Sequence, residues 1–288
     1  APGSLELGRL GLGQLLAQQP DLQAVVCSSD MLAHGILGIL PYNANLEGTL
    51  RFCGEPLTPA RAEQLRGTEI VLVPQSVSYL DPLMKVGPQV RNGRRDQRSR
   101  DLCRDLLGRY HLKPSVEELY PFELSGGMTR RILISTAVAA SPRLVIADEP
   151  TPGLDARSVR HIMEHFREIA DSGAGLLLIT HDLEAALTIA DRVAVFYAGE
   201  TIEEAPSSDF AAEETLRHPY TRALWRAMPQ HGFVPISGAQ PYPGTVPAGC
   251  PFAVRCPNRA AACEGEVPYR ALAGGWVRCL HPERGAES

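Results

Sequence analysis

Short apolar runs alternate with amphipathic stretches of helical period through the middle of the chain. The run LVIA inside RLVIADEP (Arg143–Pro150) has the length of a buried parallel strand, and GLLLIT (Gly175–Thr180) and RVAVFYAG (Arg192–Gly199) repeat it. Between them, RSVRHIMEHFREIAD (Arg157–Asp171) and DLEAALTIAD (Asp182–Asp191) predict helices, as does Gly127–Ala140. Strand and helix alternating in this way predict βαβ units, and so an α/β fold with a mainly parallel sheet covered on its faces.

Upstream, the extended runs LEGTLRF (Leu46–Phe52) and EIVLV (Glu69–Val73) flank the helical RAEQLRG (Arg61–Gly67), and the second run ends at Pro74-Gln75. Between Asp81 and Leu124 the pattern turns polar and helical, which predicts a small helical subdomain. Its Arg-rich segment, Arg91–Asp105, reads as a solvated helix face or loop. After about Ala205 the chain is rich in Pro, Gly and aromatic residues and reads as an appendage.

Composition narrows the function classes. With 288 residues and 44% hydrophobic positions the chain can bury one or two cores. A net charge of −5 speaks against a nucleic-acid coat. No apolar run reaches the roughly 18 residues of a spanning helix, and APGSLELGRL has no export pattern, so a soluble, intracellular protein is expected. The only lysines are Lys85 and Lys113.

Parallel sheets bind ligands at the carboxyl ends of their strands, and here those ends carry Gln75, Asp148, Glu149 and His181. One carboxylate in such a place can hold Mg²⁺ while its neighbour orients or deprotonates a water attacking a phosphate. The plainer alternative is a polar loop start or a helix cap. LSGGM (Leu124–Met128) opens a helix with a hydroxyl and bare amides, which can face phosphate oxygens; a simple Ser cap is its alternative.

These segments together resemble the ATP-binding subunits of ABC transporters. The resemblance rests on Pro74-Gln75 (Q-loop), LSGGM (signature), LVIADEP at Leu144–Pro150 (Walker B and the carboxylate after it), Gly153-Leu154-Asp155 (D-loop) and ITHD with His181 (switch histidine). VPQSVSYLDPLMKVG, ADEPTPGLD, FYAGETIEEAP and RHPYTRALWRAMP are similar to the dipeptide, oligopeptide and nickel importers. The resemblance implies a P-loop NTPase-like core over residues 36–204, with a helical subdomain at 76–130 and a C-terminal extension at 205–288. It implies ATP and Mg²⁺, with Asp148 holding Mg²⁺, Glu149 as catalytic carboxylate, Gln75 sensing Mg²⁺ and the permease, and His181 at the γ-phosphate. Ser125, Gly126 and Gly127 would cover nucleotide held by a second ATPase in a head-to-tail dimer, and Asp155 belongs to the same nucleotide-binding set. Expected partners are membrane permease subunits and, indirectly, an extracytoplasmic solute-binding protein; the expected place is the cytoplasmic face of the inner membrane.

One part of the family pattern is missing. Before the helix LAHGILGIL the family places a phosphate-cradling GxxxxGK[ST], whose lysine reaches the β- and γ-phosphates. This chain has AVVCSSDM (Ala24–Met31) there, with Asp30 where a positive charge is expected. QLLAQQPDLQAVVCSSDMLAHG is similar instead to an effector-domain segment of lactose-repressor-type regulators, so residues 1–35 read as an atypical segment spliced onto the cassette. The leading expectation is an importer ATPase subunit that donates LSGGM to an intact partner. The alternative is a catalytically silent interaction subunit or a nonfunctional fusion product.

Four cysteines crowd the C-terminus as Cys250-x5-Cys256-x6-Cys263-x15-Cys279. Four thiolates in a reduced compartment suit a [4Fe–4S] cluster or tetrahedral zinc, with free thiols as the remaining possibility. The surrounding GCPFAVRCPNRAAAC resembles the C-terminal extension of peptide-importer ATPases, some of which carry an iron–sulfur cluster there.

Overall fold

The computed structural model describes residues 24–27, 30–40, 48–242 and 246–283. The chain divides into two compact units, residues 1–57 with 190–288, and residues 58–189. Residues 1–23 and 28–29 of the segment that the sequence sets apart as atypical lie outside the described residues.

The first unit begins with β1 (Ala24–Cys27), α1 (Asp30–Leu37) and a two-strand ribbon, β2 (Arg51–Phe52) with β3 (Glu55–Pro56). The second unit then contributes α2 (Pro59–Leu65), β4 (Ile70–Val73), α3 (Val86–Val90), α4 (Gln97–Arg109) and α5 (Gly126–Val138). It continues with β5 (Leu144–Asp148), α6 (Ala156–Asp171), β6 (Gly175–Ile179) and α7 (Leu183–Leu187). Its helices other than α3 start at side-chain caps that satisfy otherwise orphaned amides. Asp96 accepts from the Ser99 amide at 2.9 Å, Ser125 from Met128 at 3.4 Å, and Asp182 from Ala185 at 3.0 Å. No described helix is long and apolar enough to cross a membrane.

Strands β4, β5 and β6 pair in parallel, with Ile70 opposite Leu144 and Asp148 opposite Ile179. Their apolar residues are almost wholly buried, as the unbroken runs IVLV, LVIA and GLLLI require of strands covered on both faces.

A buried pair joins the helices of this unit. Tyr110, which ends α4, bonds through its hydroxyl to Nδ1 of His165 on α6, and its carbonyl accepts from Arg131 Nη1 on α5 at 3.0 Å. The Arg109 carbonyl meets His161 Nε2 of α6 at 2.6 Å. Burial lowers the His165 pKa to about 4 and raises that of Tyr110, so both are neutral at neutral pH.

The first unit resumes with β7 (Arg192–Tyr197), β8 (Glu200–Pro206), α8 (Pro219–Arg226), β9 (Arg270–Leu272) and β10 (Gly275–Val277). Here β1 runs parallel to β7, while β7, β8, β10 and β9 pair antiparallel in that order. The C-terminal residues therefore add two strands to the sheet of β7 and β8. Strand β8 buries three glutamates, Glu200, Glu203 and Glu204, each at most 2% exposed. Each is paired: Glu200 with Arg278, Glu204 with Arg192, and Glu203 with Arg217. Arg217, fully buried, also reaches Asp209 at 2.6 Å and the carbonyls of Leu272 and Ala273 at 2.8 and 2.5 Å. This approach leaves no room at Gly275, where a Cβ would stand 2.4 Å from the Glu204 carbonyl and 2.9 Å from Arg217 Cζ.

Two outcomes are expected. Arg217→Met strands the buried Glu203 and Asp209 and lowers stability to urea by about 3–5 kcal/mol, whereas Arg226→Ala, which breaks an exposed pair with Glu213, costs at most about 1 kcal/mol. Below pH 6.5 an unfolded His165 takes a proton that the folded ring refuses until about pH 4, so stability falls as pH drops through that window. His165→Phe flattens part of that slope in urea titrations at stepped pH; His218, lowered to about 3 by burial, supplies a slope of the same sign that remains.

Candidate functional site

The shared register of β4, β5 and β6 brings Gln75, Asp148-Glu149 and Thr180-His181 to the carboxyl ends of three neighbouring strands. The Glu149 amide donates to the Ile179 carbonyl at 2.8 Å, carrying the ladder one residue past β5. The Glu149 backbone then turns to a φ of 43°, a left-handed conformation that costs a non-glycine residue about 1–3 kcal/mol and clusters at functional sites.

The turn aims the Glu149 carboxylate at the segment after β6. Oε1 accepts from the His181 amide at 2.9 Å and lies 2.7 Å from His181 Nδ1, while Oε2 accepts from the Thr180 hydroxyl at 3.1 Å. Thr180 Oγ1 in turn accepts from the Asp182 amide at 3.0 Å, and Asp182 caps α7. The Glu149 side chain is 15% exposed and the His181 side chain 80% exposed, so a partly buried carboxylate positions an imidazole that faces solvent. Three of roughly four carboxylate lone-pair positions are taken, leaving one for a further donor.

Sequence reasoning misses two residues here. Thr180 stands between the strand and His181 and reads only as the strand's last residue. Arg130, on α5 beyond LSGGM, is 7% exposed and donates to the Pro74 carbonyl at 3.1 Å, directly before Gln75. Burial lowers the Arg130 pKa, and the charges of Asp148 and Glu149 oppose that shift. An arginine amid the apolar positions of a buried helix is the signal that could have found it.

The remaining nucleotide-set residues stand at helix starts. Ser125 is the exposed cap of α5, holding the Met128 amide, and nothing lies within 4 Å of where a Cβ on Gly126 would stand at this positive helix end. Asp155 caps α6, accepting from the amides of Arg157 and Ser158 at 3.0 Å each and from the Ser158 hydroxyl at 2.7 Å. These bonds lower its pKa. Glu149 and His181 are thus in direct contact, Gln75 and Asp148 share their strand-end edge, and the Asp155 carboxylate is engaged in its own cap.

The four C-terminal cysteines come together in the other unit. Cys250, Cys256, Cys263 and Cys279 carry free thiols and line one small cavity with His218 and His281. The Cys279 sulfur accepts from the His281 amide at 3.3 Å, and Cys250 Sγ lies 3.9 Å from His218 Nε2. Burial raises the pKa of Cys250 and Cys256 and pushes that of Cys279 up to about 12. Gly249 is required for this packing, since a Cβ there would stand 2.2 Å from the Cys263 carbonyl oxygen. Among the described residues, no three His, Cys, Asp or Glu side chains stand ready as ligands of a single ion.

Comparison with known proteins places this geometry. The ABC transporter family profile matches residues 31–152, and the oligopeptide/dipeptide transporter C-terminal region matches 202–263. A protein of Brucella abortus named for peptide import ATP binding is 36% identical over 251 residues, covering 81% of this chain and 75% of that protein. The dipeptide transport ATP-binding protein DppD of Bacillus subtilis is 34% identical over 266 residues, covering 85% and 79%. Among solved structures, a dimeric bacterial ABC transporter cassette has a TM-score of 0.57 at 21% identity over 65% of this chain and 86% of that chain. CbiO1 from Clostridium perfringens, part of the ABC transporter complex cbiONQ, has a TM-score of 0.55 at 22% identity over 68% and 81%. Those two likenesses carry the cassette fold, and the relatives at 34–36% identity carry the lineage: the chain belongs to the ATP-binding subunits of oligopeptide and dipeptide ABC transporters.

Proposed function

We propose that this chain works at the cytoplasmic face of the inner membrane as one ATPase subunit of a peptide importer, docked on permease subunits and paired head to tail with a second ATPase. The observation that carries the reading is the Glu149 carboxylate held between Thr180 and His181, beside Asp148, at the strand ends. Peptide cargo is supported by the relatives' names, and a nickel complex is the alternative. An extracytoplasmic binding protein would deliver either. The division into residues 1–35, 36–204 with a helical subdomain at 76–130, and 205–288 belongs to this proposal.

Were nucleotide held at this chain's own strand ends, Asp148 would hold Mg²⁺, which would screen phosphate charge. The donor chemistry fits: a strand-end carboxylate whose field reaches the buried Arg130. There Glu149 would offer its remaining carboxylate position to a proton of the attacking water, and the exposed His181 ring would contact the terminal phosphate. Gln75, tied through Pro74 to Arg130, reports the state of that site to the permease. Ser125, Gly126 and Gly127 would face nucleotide held by the partner, with Asp155 fixing the start of α6.

The sharper part of the proposal concerns Ala24–Met31. AVVCSSDM stands in sequence where the phosphate loop belongs, supplies neither its glycines nor its lysine, and brings Asp30 instead. Its likeness to a lactose-repressor-type segment supports a splice of one strand-loop-helix onto another. The chain then contributes its signature to a partner with an intact loop, and a heterodimer keeps one working site of two. The same missing loop favours the second reading, a silent structural subunit or fusion product.

For the C-terminal cysteines we infer a [4Fe–4S] cluster held by Cys250, Cys256, Cys263 and Cys279, with tetrahedral zinc as the alternative. The support is a donor set of four free thiols lining one cavity, with the His281 amide donating to the Cys279 sulfur. Such a cluster would cross-link the extension and supply one-electron chemistry.

Two tests separate these claims. In a mixed dimer with an intact partner ATPase, Ser125→Arg should abolish turnover at the partner's nucleotide, whereas Glu149→Gln should leave most of it; equal losses contradict the assignment. Chain purified without oxygen should be brown, with iron and acid-labile sulfide in equal amounts, and Cys250→Ser with Cys256→Ser should lose both. A colourless wild type containing zinc supports the alternative, and a metal-free one contradicts both.

A further inference from the structure

The cavity of the four cysteines has a fifth participant that the ligand set does not explain. His218 is the cap of α8, and its Nδ1 accepts from the Tyr220 amide at 3.0 Å. An amide N–H can only donate, so Nδ1 carries a lone pair and no proton. The ring is 1% exposed, and a ring whose Nδ1 accepts an amide is the neutral form. A neutral imidazole with a bare Nδ1 has its proton on Nε2. Nε2 lies 3.9 Å from Cys250 Sγ, within reach of an N–H···S bond.

The ring is also fixed from behind. The His218 amide donates to Glu203 Oε2 at 2.7 Å, and the ring packs against Phe252 with centroids 6.0 Å apart. Phe252 meets Tyr197 and Tyr220 edge to face at 5.4 and 5.3 Å. The Glu203 carboxylate that receives the His218 amide also receives the amide of Arg217 at 2.9 Å. The buried charge pair of β8 therefore sets where the imidazole points.

His218 Nε2 approaches Cys250 Sγ at 3.9 Å, while Cys279 Sγ accepts from the His281 amide at 3.3 Å. Donors to a ligand sulfur withdraw negative charge from the group it binds and stabilise its reduced, more negative form.

We propose that His218 donates its Nε2 proton to the Cys250 sulfur and thereby raises the reduction potential of the cluster held by the four cysteines, an inference that rests on the iron–sulfur reading above. His218 is a positioning and tuning residue that never binds iron. The bond is electrostatic, with no proton transferred and no bond broken, so the cluster gains one electron from an external reductant with His218 unchanged in composition.

The test is a redox titration of purified full-length chain with dithionite, followed by visible absorption and by electron paramagnetic resonance, which requires no ATP turnover. His218→Asn keeps a side-chain acceptor for the Tyr220 amide and is a favourable helix cap, but has no donor at the Nε2 position. His218→Gln places an amide N–H near that position. At fixed poise the reduced-to-oxidised ratio should fall about tenfold in the Asn variant, a shift of about 59 mV for one electron, and should return toward wild type in the Gln variant. Equal midpoints for wild type and Asn variant, both with full iron, overturn the proposal alone. A wild type without iron overturns the cluster reading and this inference with it. Should the Asn variant fail to fold, wild type grown on ¹⁵N-histidine decides: pulsed resonance of the reduced cluster shows coupling to a histidine nitrogen if the bond exists, and the lack of that coupling overturns it.

Discussion

Parallel pairing of β4, β5 and β6 in a single register is the constraint from which the strand-end site follows. Because Asp148 stands opposite Ile179, the next residue of one strand and the next two of the other leave the sheet together. Glu149 and Thr180-His181 then meet with no loop long enough to let them drift. The positive φ of Glu149 is the consequence: the backbone accepts a strained turn so that the carboxylate can be gripped by a hydroxyl, an amide and an imidazole. Arg130 closes the arrangement from the helix side, linking the start of the Gln75 segment to the field of both carboxylates. A sheet slipped by one residue would lose the whole constellation.

The other unit uses buried charge for a different end. Glu203 receives the amides of Arg217 and His218 together with the Arg217 guanidinium, while burial raises its own pKa. Replacing such pairs with apolar residues is often harmless elsewhere, so their value here lies in direction more than in energy. They fix where β9 and β10 join β8, and they orient the histidine that faces the cysteine cavity. Structural polarity and candidate chemistry are therefore the same residues seen from two sides.

How much of this is legible in the sequence depends on the range of the interaction. The runs LVIA, GLLLI and IVLV announce buried parallel strands, because a short segment that is apolar at every position has to be covered on both faces. LSGGM, the Asp148-Glu149 pair and His181 can be placed at strand ends or helix starts from local pattern. Thr180 cannot be singled out, since its role needs Glu149, 31 positions away, and a threonine closing a strand is ordinary. ETIEEAP conceals a fully buried strand because its glutamates find arginines at 192, 217 and 278, partners that periodicity cannot supply. The cysteine spacing signals a ligand set, but His218 is far from it in sequence and reads only as the start of a helix. Short strands such as Arg270–Leu272, polar at one end, likewise carry no periodic signature.

The central claim is that this chain lends a nucleotide-covering signature while its own phosphate loop has been replaced by AVVCSSDM. Equilibrium binding of a fluorescent ATP analogue with Mg²⁺ to the purified, folded chain alone tests it most directly. The account predicts no saturable binding up to millimolar concentrations, with circular dichroism confirming an intact α/β fold. Micromolar binding would contradict it, and would mean that another segment of this chain cradles the phosphates.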